Sequence, residues 1–135
     1  MQSPITDVDP FDLPEWLGTL DVVWSAESGL GAGHRVRGRL TGDGQPDLVC
    51  DLLAVDEAYP EPVVDDASRS RVHQAWRHGQ VVIGTYDDRL VLAAPGTAFG
   101  PETVLDALGR LARAVGAHAD SYAALLRLND SRRRG

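Results

Sequence analysis

The residues HRVRGRL (34–40), TGDGQPD (41–47) and LVCDLL (48–53) decide the fold. Arg35, Arg37 and Arg39 fall on one side of an extended chain, with Val36, Gly38 and Leu40 on the other. Beyond the glycine turn, Asp47 and Asp51 alternate with Leu48, Cys50 and Leu52. The stretch therefore reads as a hairpin, and parity selects its loop. A two-residue loop at Asp43 and Gly44 sets Arg39 opposite Leu48 and Arg37 opposite Cys50, mixing the faces. A three-residue loop from Gly42 to Gly44 pairs Arg39 with Asp47, Arg35 with Asp51 and Val36 with Cys50, with Gly44 in the left-handed position of a bulge. A one-residue slip inverts every side chain, so the three-residue loop is the reading adopted. The arginine stripe is then explained by cross-strand ion pairs, each contributing about 0.2–1 kcal/mol.

Working outward, Leu20 to Ser25 alternates as a half-buried strand, with Leu20, Val22 and Trp24 inward. It follows a short turn in DLPEWLG, where Asp12 is a cap and Trp16 and Leu17 face the core. Gly29, Gly31 and Gly33 form a loop, and the YPEP segment (59–62) forms an extended linker. Asp65 or Asp66 caps a helix running to about His78, with Ser68, Val72, Ala75 and Trp76 inward and Gly79 as its stop. Residues 80–94 make a second hairpin turning at Asp87 and Asp88, apolar on both faces and hence central. Pro101 opens a helix ending at Gly116, with Val104, Leu105, Leu108, Leu111, Ala112 and Val115 on one face. Residues 120–128 read as a further short helix.

The chain has 135 residues, 43% of them apolar and 24% charged, which suits one compact domain spanning 1–135, with residues 1–10 and 129–135 expected to be flexible at its surface. The expected architecture is α+β in two layers: an antiparallel sheet of about five strands with its helices mainly on one face. That leaves Val82, Tyr86, Val91 and Ala93 on an uncovered apolar face, from which a homodimer is expected.

Thirteen basic against twenty acidic residues give a net charge of −7, which argues against DNA as a partner. Every basic residue is Arg, so Schiff-base and phosphate-loop lysine chemistry is excluded. The Arg, Ala, Gly, Val and Asp bias is associated with a high-GC genome. The single Cys50 sits in an apolar run and reads as a buried, inert thiol. Residues 1–10 have neither a basic region nor an apolar core of a leader, and no run is long enough for a membrane span, so a cytoplasmic protein without membrane association is expected.

No motif carries recognisable chemistry. SGLGAGH ends in His34 and runs into a strand, so it lacks the helix that a dinucleotide fingerprint requires. Asp7, Asp9 and Asp12 lack the glycine and glutamate of a calcium loop. His73 and His78 are five apart, where zinc helices use four; His78 suits a helix C-terminus. Asp65–Asp66 and Asp87–Asp88 fit a cap and a turn better than a carboxylate dyad. Arg132 to Arg134 form a basic tail. No catalytic residue, cofactor or metal is expected; His34, Arg35, Arg37, Arg39 and His73 are the candidates for a polar binding surface.

RVHQAW, VVIGTYDDRLVLAA and PETVLDALGRLARAVGAHADSYAALL, within residues 69–126, resemble the helix, hairpin and helix of the type III secretion chaperone-like and YbjN proteins. The resemblance implies a noncatalytic, often dimeric protein that binds other polypeptides, and it assigns no functional residue. The expected function is thus a protein-interaction or chaperone-like domain. The alternative is a small-molecule binder or small enzyme whose site is assembled from residues distant in sequence.

Overall fold

The structure, a computed structural model, describes residues 4–27, 30, 34–56 and 64–126. The glycines at 29, 31 and 33, the YPEP linker and the Arg132–Arg134 tail lie outside the described residues. Nine strands and three α-helices are formed by these residues: β1 (Thr6–Asp7), α1 (Trp16–Thr19), β2 (Val22–Ala26), β3 (Arg35–Val36), β4 (Gly38–Gly42), β5 (Leu48–Val49), β6 (Asp51–Ala54), α2 (Asp66–Arg77), β7 (Val82–Tyr86), β8 (Arg89–Ala94), α3 (Pro101–Ala114) and β9 (Tyr122–Leu125). The fold is α+β, as expected. In place of one antiparallel sheet there are two mixed sheets: five strands in the order β1-β7-β8-β6-β3, and four in the order β5-β4-β2-β9. β6 lies parallel to β8, and β2 lies parallel to β9.

The opening hairpin supplies strands to both sheets. Its register pairs Arg39 with Val49 and Leu40 with Leu48 at one end, and Arg35 with Leu53 and Val36 with Leu52 at the other. This is two residues away from the register expected from parity. Because the shift is even, every side chain keeps its expected face. Arg39 still reaches Asp47 at 3.1 Å and Arg35 still reaches Asp51 at 3.1 Å, diagonally across the ladder rather than directly. The shift comes from the turn. Gln45 N–H closes on the Gly42 carbonyl at 3.0 Å, and Gly44 takes φ +77°, which only glycine adopts at no steric cost.

The hairpin changes sheet at Arg37, between β3 and β4, and on its other strand at Cys50, between β5 and β6. Cys50 N–H still bonds the Gly38 carbonyl at 3.0 Å across the corner. Trp24 from β2 fills the corner. Its indole N–H donates to the Cys50 carbonyl at 2.8 Å, and a Cβ on Gly38 would stand 2.4 Å from its ring. Glycine at 38 is thus required for close approach of an aromatic ring.

Side-chain alternation divides the core. Leu52, Ala54, Ile83, Leu92 and Ala94 join Val104, Leu108 and Leu111 of α3 and Trp24 and Leu40 of the four-stranded sheet. Leu53, Val55, Val91 and Ala93 point the other way, onto Val72 of α2, Val64 and Ile5. The two helices therefore lie on opposite faces of the five-stranded sheet, not mainly on one. The face expected to meet a partner copy is covered from within the chain: Val91 and Ala93 are fully buried, and Val82 and Tyr86 pack at the margin of this cluster. The apolar-face argument for a homodimer therefore lapses.

The two long helices start and stop where the sequence indicates, but α1 does not: Asp12 lies within a 3-10 turn capped by Asp9, and α1 starts after Glu15 with no side-chain cap and runs past Gly18 to Thr19. Asp65 accepts from the Ser68 N–H at 2.9 Å, Gly79 and Gly116 end α2 and α3 at positive φ, and Pro101 opens α3. Leu105, expected inward, is 52% exposed, and Ala107 takes the buried position instead. Residues 122–125 form a strand, not the expected helix. β9 runs alongside β2, with Tyr122 opposite Val22, and the Tyr122 hydroxyl donates to the Leu17 carbonyl at 2.5 Å.

Candidate functional site

The polar candidates of the sequence separate into two groups. Arg35 and Arg39 join a network on the hairpin. Asp51, whose side chain is fully buried, receives Arg35 Nη2 at 3.1 Å, Arg89 Nε at 2.7 Å, Arg89 Nη2 at 3.0 Å and the Gly38 N–H at 3.2 Å. Burial alone pushes the Asp51 carboxyl up. The hydrogen bonds from Arg89, the Gly38 N–H and Arg35 outweigh it and hold the carboxyl below its ordinary range. Arg35 also reaches Asp87 at 2.8 Å and lies over the Tyr86 ring, while Glu27 bridges Arg39 and Arg89. These contacts tie the hairpin to the β7–β8 turn, where Asp87 and Asp88 both adopt positive φ. The network is a clasp in which opposite charges consume one another. Arg37 is exposed and makes no side-chain bond among the described residues, and His34 contributes its carbonyl, which accepts from the Ala54 N–H at 2.7 Å.

His73 belongs elsewhere. Asp51 and Asp56 are five residues apart along an extended chain, about 16 Å, and His73 Nε2 pairs with Asp56. The other Asp56 oxygen accepts from the Gly96 N–H at 2.8 Å. Asp56 and Gly96 follow the C-terminal ends of β6 and β8, so the parallel strand pair positions the carboxylate and α2 positions the ring. The sequence offered no pairing signal here, because the partners come from three elements.

A third arrangement was not visible in the sequence. An open trough of about 880 Å³ runs between α2, the start of β7 and the end of α3. Val8, Val81, Val82 and Ile83 form its apolar wall; Arg71, His78, Arg110 and Arg113 form its polar side. Arg110 stacks on Trp76, 3.5 Å from the ring centroid, and donates to the Trp76 carbonyl at 2.6 Å. Arg113 donates to the Gly79 carbonyl at 2.8 Å, and Arg71 to the Ile5 carbonyl at 2.9 Å and Asp7 at 3.0 Å. Arg110 also donates to the Gln80 carbonyl and, through Nε and Nη2, to Asp106, so most of its donors are spent, whereas Arg113 keeps most of its five N–H donors unused.

The trough follows a sheet edge that the described residues leave unpaired beyond Val8. β1 covers β7 only at Gly84 and Thr85, and Val8 N–H bonds the Ile83 carbonyl at 2.8 Å. Strand alternation then directs the Val81 N–H and C=O to the same edge. There Pro10, which has no N–H, turns the chain away into a 3-10 turn, Pro10–Asp12. That turn presents Phe11 with 95% of its surface exposed.

Little else suggests reactivity. Cys50 is fully buried, and burial together with the Asp51 charge pushes its thiol up. Among the described residues no group of three or more His, Cys, Asp or Glu side chains could hold a metal ion, and no helix is long and apolar enough to cross a membrane. No protein-family model, curated protein or solved structure matches the chain.

Proposed function

We propose that the chain is a non-catalytic, chaperone-like interaction domain that takes an extended, acidic polypeptide segment into the trough along β7. The observation that carries this reading is the sheet edge at Val81, just before β7, which no described residue pairs and which lies in a trough with an apolar wall and an arginine side. A guest strand would continue the ladder that β1 leaves at Val8, pairing with the backbone of Val81. Charge complementarity selects its polar side chains. Within a chain of net charge −7, Arg71 is paired with Asp7 and Arg110 with Asp106, which leaves Arg113 as the guanidinium of the trough with no carboxylate partner among the described residues. Exposed Phe11 at the mouth is suited to anchor such a guest. The resemblance of residues 69–126 to polypeptide-binding chaperone-like proteins supports the same reading.

The test is fluorescence anisotropy with a labelled peptide of alternating Val and Glu, against one of alternating Val and Lys. The first is expected to bind and the second not, with NMR shifts concentrated on the amides of residues 81–83. Arg113→Glu is expected to weaken binding about tenfold or more, since it removes a charge-assisted hydrogen bond to the guest. Equal binding of both peptides, or shifts that avoid the trough, would overturn the proposal.

A further inference from the structure

A neighbouring face of α2 carries a second set of groups. Arg69, His73 and Arg77 are spaced four apart, so each stands one turn from the next on one helix face. Together with Ser70 and Gln74 they line a shallow depression of about 360 Å³. Arg71 and His78 point instead into the trough described above, so the two sites share α2 but only Gln74 between their linings.

We propose that this depression binds the phosphoryl group of a small phosphomonoester or of free phosphate. Three observations converge. First, His73 is oriented: Gly96 N–H fixes Asp56, and Asp56 fixes Nε2, which leaves Nδ1 as the open ring nitrogen of a side chain lining the depression. Second, Arg77 makes no hydrogen bond or ion pair among the described residues, and Arg69 is held only by Asp66, at 3.2 Å and on the exposed surface. Two guanidinium groups therefore flank the ring with most donors unspent, which suits the three-oxygen face of a tetrahedral anion. Third, Asp56 and Gly96, which hold the ring from behind, are themselves fixed where β6 and β8 end together: Asp56 N–H also bonds the Gly96 carbonyl at 3.0 Å. Asp56 spends its two oxygens on Gly96 and His73 and bonds neither Arg69 nor Arg77.

The phosphoryl oxygens accept from Arg69 and Arg77; with Nε2–H given to Asp56, Nδ1 of His73 adds a third donor only as the imidazolium. Ser70 and Gln74 set the floor. No bond to phosphorus forms or breaks in this scheme.

The test follows the ring nitrogens of all four histidines by NMR while inorganic phosphate, phenyl phosphate or chloride is added to the intact protein. Saturable shifts at His73, with His34, His78 and His118 as internal references, are expected with both phosphates and not with chloride. Tighter binding of phenyl phosphate than of phosphate identifies a monoester site; the reverse identifies free phosphate. Arg77→Ala should weaken binding about tenfold, the effect of removing one charge-assisted hydrogen bond, with the melting temperature unchanged. Asp56→Asn should weaken it less, because the ring is then less firmly oriented. A chloride response equal to phosphate, a non-saturating response, or undiminished affinity in Arg77→Ala would overturn the assignment.

Discussion

Replacing Asp51 with asparagine should destabilise the protein by about 2–3 kcal/mol. The carboxylate is wholly buried and meets Arg35 and Arg89, whose side chains are only 17% and 23% exposed. Removing one partner from a fully buried ion pair costs about 3–5 kcal/mol. Here the guanidinium groups keep some contact with water and asparagine still offers an oxygen to the Gly38 N–H, so the lower part of that range, further reduced, applies. Asp51→Ala removes that acceptor as well and should add about 1 kcal/mol. For a domain of this size, 2–3 kcal/mol corresponds to a fall of about 8–12 °C in melting temperature. The pH dependence has a definite sign. The folded-state pKa of Asp51 is depressed, so its stabilisation is present above the unfolded-state value of about 3.9 and is lost as pH falls through the lower folded-state value. The gap between wild type and Asp51→Asn in urea melts should therefore be full at neutral pH and shrink under acid conditions, below about pH 4. A neutral-pH difference under about 0.5 kcal/mol, or one constant down to strong acid, would show that the clasp contributes nothing.

Gly38→Ala places a methyl group 2.4–2.6 Å from the Trp24 indole and should cost about 1–3 kcal/mol in chemical denaturation while shifting tryptophan emission; unchanged emission and stability would refute the corner geometry. Cys50 should react with a thiol reagent only at the rate of unfolding, since it is fully buried; rapid labelling of the native protein would contradict its placement. Arg39 and Asp47 are each about half exposed, so exchanging them for one another should change stability by no more than about 0.5 kcal/mol, whereas Arg39→Glu alone should be the less stable variant in the same melts.

The hairpin at 34–53 shows what sequence can and cannot specify. Alternation fixes which side chains share a face, and Arg39–Asp47 and Arg35–Asp51 form accordingly. Registers differing by two residues satisfy that alternation equally well, and the choice was made by the Gly42–Gln45 turn. Helix ends were legible because Asp65, Gly79, Pro101 and Gly116 act locally. The strand at Tyr122–Leu125 was not: Tyr-Ala-Ala-Leu is compatible with a helix, and only β2, about a hundred residues earlier, makes it extended. The same nonlocality hid the site. His73 was visible as a candidate, but Asp56 and Gly96 acquire meaning only where β6 and β8 end together, and the trough is assembled from Val8, Val81 and Arg113.

Because one hairpin furnishes strands to both sheets, neither sheet is separable as a folding unit. Pulling β3 and β6 away from β8 bends the ladder at Cys50 and withdraws the carbonyl that holds the Trp24 indole, so damage to the five-stranded sheet is delivered directly into the four-stranded one. Amide exchange in β2 and in β8 should therefore proceed through a common opening, and a fragment cut between Gly42 and Gln45 should lose protection in both sheets together.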